Sequence, residues 1–221
     1  MFKKLLFSFL LIASSGAANA ALITQSDSVT RQSTNFSTSL IFDLFDLGPN
    51  FELTKVSFSI DGDVFGSAEI ESRDASASTI DISISVELTL FDTSNAPLVI
   101  SIPLFTQQFE ATAYDGTNDA GGTSGITYTG LTASQFVSES YTDALTLSAF
   151  TGTGTVSLGF GAKGTSTASG SGNLATFFET EASGDVEVIY EYRAREVSEP
   201  SMVALFGLGL IALGSLRRIK K

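Results

Sequence analysis

Between residues 79 and 91 apolar and polar side chains alternate without a break. Ile80, Ile82, Ile84, Val86, Leu88 and Leu90 are separated by Asp81, Ser83, Ser85, Glu87 and Thr89. Successive side chains of a strand point to opposite faces, so this period of two gives one dry face and one wet face. A helix would scatter the same residues around its axis. The pattern predicts a strand, and it is the clearest element of the chain.

Weaker signals of the same kind lie on either side. Residues 21–33 are polar with little pattern and read as a lead-in or edge segment. Residues 36–45 are apolar and close on Asp43, Asp46 and the turn signal Gly48-Pro49-Asn50. Val56, Phe58 and Ile60 return to period two after Leu53. Asn95-Ala96-Pro97 marks a turn, and 98–104 and 105–114 continue extended, with Pro103 placed at an edge or bulge because it has no N–H for a ladder. Asp115-Gly116-Thr117-Asn118-Asp119-Ala120-Gly121-Gly122 has the composition of a loop. Ile126-Thr127-Tyr128 resumes a strand, and Thr132-Ala133-Ser134-Gln135 fits a capping box opening one helical turn. Residues 145–150 fit either a short helix or a strand. Val156, Leu158 and Phe160 alternate ahead of a loop over 164–173. Residues 174–181 and 186–193 read as the arms of a hairpin turning at Ser183-Gly184-Asp185.

Many strands, turns rich in Gly, Asn and Asp, and no long helix away from the termini predict an all-β body over 21–196, a jelly-roll-like β-sandwich. A β-solenoid would need a fixed-period repeat, and none is found.

Both ends of the chain have a different character. Lys3-Lys4, the apolar residues 5–13 and Ala18-Asn19-Ala20 form the charged, hydrophobic and small-residue parts of a secretory signal peptide over 1–20, with signal peptidase cutting after Ala20. The alternative, an uncleaved anchor, has a short apolar core for that purpose. At the other end, 197–221, Glu199, Pro200 and Ser201 precede an apolar run over 202–216, and Arg217, Arg218, Lys220 and Lys221 close the chain. As a single hydrophobic helix this run of 15 residues is about 22 Å long, against about 30 Å for a bilayer core. The basic end fits the cytoplasmic side, because positive charge resists translocation.

Charge and residue inventory then narrow the function. Residues 21–196 hold 23 acidic and 6 basic side chains, a surface that repels nucleic acid and anionic lipid. Cysteine is absent, so burial and backbone pairing must hold an exported body together without disulfides. Histidine is absent too, which excludes a Ser-His-Asp triad, His-ligated zinc and imidazole acid–base catalysis. Paired carboxylates such as Asp61 with Asp63, or Glu179 with Glu181, could serve a glycosidase if they faced each other across a cleft. Tyr114, Tyr128 and Tyr141 could serve a carbohydrate-binding module if they shared an exposed face. Calcium is the one metal the inventory invites. Asp61-Gly62-Asp63-Val64-Phe65-Gly66 begins like an EF-hand loop but has Phe65 fifth and Ser72 twelfth, and Asp115, Asn118 and Asp119 form the better cluster. Solvated turns explain both stretches more simply, so no catalytic, cofactor or metal site is expected.

The order of a short polar motif, an apolar run and a basic stop at the very terminus resembles the PEP-CTERM sorting signal of Gram-negative bacteria. Glu199, Pro200 and Ser201 fall on its Pro-Glu-Pro motif, 207–213 on its glycine–leucine run, and Arg217-Arg218 on its basic stop; Ser198 stands where the family most often has proline. The resemblance implies recognition by exosortase, a membrane protease-transpeptidase, after a transient stay in the inner membrane. A plain C-terminal membrane anchor is the alternative. The body, from Phe150-Thr151-Gly152-Thr153-Gly154-Thr155-Val156 through Ser169-Gly170-Ser171-Gly172-Asn173-Leu174 to Val188-Ile189-Tyr190-Glu191-Tyr192, resembles the choice-of-anchor E domain, a group with no established activity. Together these imply a non-enzymatic surface or extracellular-matrix protein, associated with exopolysaccharide or biofilm. A carbohydrate-binding module or adhesin, and then a carboxylate-based glycosidase, are the other readings.

Overall fold

A computed structural model describes residues 20–170 and 172–195. Apart from Ala20, the expected signal peptide lies outside the described residues, as does the whole of 197–221. The described chain forms β1 (Ala21–Ser33), β2 (Phe36–Asp43), β3 (Phe51–Ser72), β4 (Ser78–Phe91), β5 (Pro97–Ser101), β6 (Leu104–Ala111), β7 (Gly125–Tyr141), α1 (Ala144–Ala149), β8 (Thr155–Ser169) and β9 (Leu174–Ala194).

Two antiparallel sheets stack face to face. One has the order β1-β9-β3-β7, and the other β2-β8-β4-β5 with β6 also on β4. Strands β5 and β6 follow one another along a single edge of β4: Leu88 pairs with Ser101, while Ile84 pairs with Phe105. Pro103 sits in the gap between them, where its carbonyl accepts from Val86 N at 3.3 Å. With that broken edge counted as one strand, each sheet has four, in the order of a jelly roll. The fold is all-β, as the alternation of residues 79–91 requires.

The core lies between β4 and β8 on one side and β3 and β9 on the other. Ile80, Ile82, Ile84, Val86, Leu88 and Leu90 are each at most 1% exposed. They pack with Leu158 and Phe160 of β8, Phe58 and Ile60 of β3, and Val186 and Val188 of β9. The edge strands carry charge toward the core side: Asp27 on β1 stands opposite Val186, and Glu139 on β7 opposite Phe58. Inward charges of this kind discourage edge-to-edge pairing with another chain.

Four local expectations are corrected. Ser183-Gly184-Asp185 is not a hairpin turn, because β9 runs unbroken from Leu174 to Ala194 beside β3. Gly184 pairs with Gly62, and both serve close approach between the sheets. A Cβ at Gly62 would lie 2.4 Å from Leu88 Cδ1, and one at Gly184 would lie 2.9 Å from Phe160 Cζ. Asp61-Gly62-Asp63 is likewise mid-strand, because β3 runs unbroken from Phe51 to Ser72, and is not the solvated turn expected there. Thr132-Ala133-Ser134-Gln135 belongs to β7, where pairing with 62–65 of β3 overrides the capping signal. Residues 164–169 extend β8 along β4 and leave only a short connection before β9. The ambiguous residues 145–150 form α1, capped by Asp143, whose Oδ1 accepts from Thr146 N at 2.9 Å.

Candidate functional site

The first and last residues of the sandwich lie side by side. Ala21 at the start of β1 pairs with Tyr192 near the end of β9, and Phe51 at the start of β3 pairs with Ala194. The chain thus enters and leaves at one pole. Ala20 is exposed at that pole. Glu199 follows Arg195 by four positions, a reach of at most about 14 Å when fully extended.

The pole is held by an aromatic cluster and one carboxylate. The Tyr192 ring lies 5.4 Å from Phe45 and 5.7 Å from Phe51, the latter edge-on. Glu52 pairs with Arg193, and its other oxygen lies 3.9 Å from Arg195 Nε. Arg195 N also donates to Asn50 O at 2.8 Å, which ties the outgoing chain to the β2–β3 loop. Between that loop and α1 opens a cleft of about 790 Å³ lined by Phe45, Leu47, Pro49, Phe51, Leu147 and Arg195. Beneath it, Tyr190 donates its hydroxyl to Asp43 O at 2.9 Å.

Burial, and secondarily the charge of Asp43, push the Tyr190 hydroxyl up to about 12. The folded state favours the protonated phenol, so this stability is complete below the ordinary tyrosine value near pH 10 and is lost as pH rises toward about 12. Tyr190→Phe should cost about 1 kcal/mol at neutral pH for the missing hydrogen bond. It should also make the alkaline decline shallower. Urea midpoints measured against pH check this, and an identical alkaline decline in both proteins would contradict it.

The candidate chemical constellations do not assemble. Asp61 and Asp63 project the same way from the open outer face of β3, and Asp63 accepts from Ser183 Oγ at 3.1 Å. Glu181 pairs with Arg31, whose guanidinium lies 4.2 Å over the Phe65 ring, and Glu179 accepts from Ser67 Oγ at 3.4 Å. Glu179 and Glu181 line a cleft of about 740 Å³, but both come from β9, so neither pair faces across a cleft as glycoside cleavage requires. Tyr128 and Tyr141 stand roughly 40 Å apart along β7, both half-buried against the core, while Tyr114 is in a loop. Tyr141 donates to Leu98 O at 2.6 Å, and burial raises its pKa. The three tyrosines therefore share no exposed face.

In the 115–122 loop, Asp115 accepts from Thr117 N at 2.9 Å and Thr117 Oγ1 at 2.8 Å, which holds its carboxyl below the usual range. Among the described residues no group of three or more His, Cys, Asp or Glu side chains is arranged to hold a metal by itself. No helix among them is long and apolar enough to cross a membrane. Ala18, Glu199, Pro200, Ser201, Arg217, Arg218, Lys220 and Lys221 lie outside the described residues. Local sequence marks only a turn at Gly48-Pro49-Asn50; the pole contacts of Asn50, Phe51 and Glu52 depend on partners more than 100 residues away along the chain.

Comparison with known proteins bears on the tail. Residues 196–218 match the model of the PEP-CTERM protein-sorting motif. No curated protein matches the chain. Among solved structures, the VP2 subviral particle of infectious bursal disease virus is 9% identical over 96% of this chain and 55% of its own, with a TM-score of 0.21. The Gx strain of that virus is 12% identical over 97% and 55%, with a TM-score of 0.19. Its T13 particle is 10% identical over 88% and 45%, at 0.22. The chain thus spans about half the length of these capsid structures, and superpositions this poor say nothing of its function. The chain carries a PEP-CTERM sorting motif that begins in sequence directly after Arg195, the last described residue.

Proposed function

We propose that this chain is an exported, non-enzymatic surface or extracellular-matrix protein, sorted and processed by exosortase. The sorting motif over 196–218 carries the reading. In it, signal peptidase removes 1–20 after Ala20. The domain 21–196 then folds outside the inner membrane, and 197–221 holds it there as a transient intermediate. Arg217, Arg218, Lys220 and Lys221 stay cytoplasmic, and a 15-residue segment ahead of them leaves Pro200 near the opposite interface. Exosortase cuts near Glu199-Pro200 and frees the domain to the cell surface or medium.

The sandwich is the cargo, and we assign it to the choice-of-anchor E type. Exopolysaccharide is the partner such a location offers. The common pole supports the scheme, because signal peptidase and exosortase would then act at the same end of the folded domain. Glycosidase and tyrosine-platform readings lose ground to the dispersed carboxylates and rings described above.

Replacing Glu199 and Pro200 together by alanine should trap a full-length, membrane-bound form in a strain that has exosortase, as should loss of the enzyme with the natural sequence. Deleting 202–221 should give a soluble protein whether or not exosortase is present. Fractionation and immunoblotting read both outcomes. Normal release of the double-alanine protein would rule the motif out as the recognition element.

A further inference from the structure

Glu71 is 2% exposed, and among the described residues no hydrogen-bond donor reaches either of its carboxylate oxygens. It lies on the outward-facing row of β3, where its neighbours should leave it in water. Two features enclose it instead. Its cross-strand partners are Gly125 on β7 and Ala175 on β9, which have almost no side chain. The 115–122 loop then folds over the gap.

Gly125 is required for this arrangement. A Cβ there would lie 2.3 Å from Glu71 Oε2 and 2.5 Å from Gly121 N. The carboxylate therefore rests over the glycine and under the loop. Backbone and side-chain bonds fix the loop in place: Gly125 N donates to Gly121 O at 2.9 Å, Thr127 Oγ1 to Ala120 O at 3.1 Å, and Gly121 N to Asp119 Oδ1 at 3.0 Å. The cleft left beside Glu71, about 300 Å³, is lined by Glu69, Asn118, Asp119, Ala120 and Phe177 among others.

A buried carboxylate without a donor is costly when charged, and protonation still leaves its hydroxyl and carbonyl unmatched. Arg73 is close in sequence but directs Nε and Nη2 to Asn118 Oδ1, at 3.0 and 2.9 Å. The lining is rich in oxygen-bearing residues, with Glu69, Glu71 and Asp119 supplying carboxylates and Asn118 an amide. That is a hard-cation environment. Calcium accepts such a mixture of carboxylate and carbonyl oxygens in irregular geometry, whereas magnesium demands a near-ideal octahedron.

We propose that Glu71 anchors a calcium site, completed by Asp119 and by carbonyl oxygens of the 118–120 loop. The acidic side chains alone do not form a metal cluster, so backbone oxygens and water supply the remaining ligands. The ion would pin the loop to the outer face of the β3–β9 sheet. The site is independent of the sorting tail, and Asp115 takes no part in it.

The test uses the full chain, purified in detergent, stripped with EDTA and exchanged into salt that screens the surface acids. Calcium chloride should bind one to one by calorimetry and raise the melting midpoint by several degrees, with magnesium chloride ineffective at the same concentration. Glu71→Gln should abolish the response. Asp119→Asn keeps the Oδ1 that accepts from Gly121 N, so it should fold without metal and weaken calcium by about tenfold; if Glu71→Gln does not fold, this variant decides. Absence of a calcium response in the natural protein would overturn the proposal. So would wild-type binding by Glu71→Gln or by Asp119→Asn.

Discussion

Ile84→Asp is expected to abolish folding, while Ser83→Asp beside it leaves the domain folded. Ile84 is 1% exposed in the middle of β4, flanked by Phe105 of β6 and Ser166 of β8. Across the core its Cδ1 would come within 3.0 Å of a Cβ at Gly66, so the site has no room for water around a carboxylate. An aspartate there must either stay charged without a partner or take up a proton at a raised pKa, and both cost several kcal/mol. That is a large share of the roughly 5–15 kcal/mol by which domains are stable. Ser83 points to the outer face between Thr106 and Thr167. A carboxylate there meets hydroxyls and solvent, and should cost less than about 1 kcal/mol. Urea denaturation separates the two variants. Equal loss in both would mean that β4 is buried on both faces.

Gly62→Ala is expected to destabilise by about 1–3 kcal/mol, the range for overpacked cores. The added methyl would sit 2.4 Å from Leu88 Cδ1 and 3.0 Å from Ser101 Oγ. Leu88 is fully buried, and its strand is pinned between β5 and β8, so neither partner can easily withdraw. Leu88→Ala alone should cost about 2–5 kcal/mol through the cavity it leaves. The double variant should cost clearly less than the two together, because the new methyl fills part of that cavity. Additive losses would show that Gly62 is needed for its own backbone conformation and not for the approach of Leu88.

That distinction also explains what could be read from the chain. The β4 strand was legible because its evidence is local, six apolar residues at period two. Ser183-Gly184-Asp185 has the composition of a turn, yet the need for Gly184 comes from Phe160 in the opposite sheet. No window of sequence around residue 184 contains that neighbour. Thr132-Ala133-Ser134-Gln135 failed in the same way, since a local cap signal lost to a ladder with β3. The pole that joins Ala21 to Tyr192, and the enclosure of Glu71 by Gly125 and the 115–122 loop, are likewise products of long-range pairing. The tail was legible for the opposite reason. A sorting signal is read as a linear order of motif, apolar run and basic stop, and that order is present in the chain.

The central claim is that the tail is a signal removed by exosortase and not a permanent anchor. Mass spectrometry of the protein recovered from the surface or medium of cells that have exosortase tests it most directly. The mature chain should begin at Ala21, end near Glu199-Pro200 with or without an attached acceptor, and yield no peptide from 202–221. A mature surface protein that still contains Arg217 and Lys221 would contradict the claim and leave the tail as an ordinary membrane anchor.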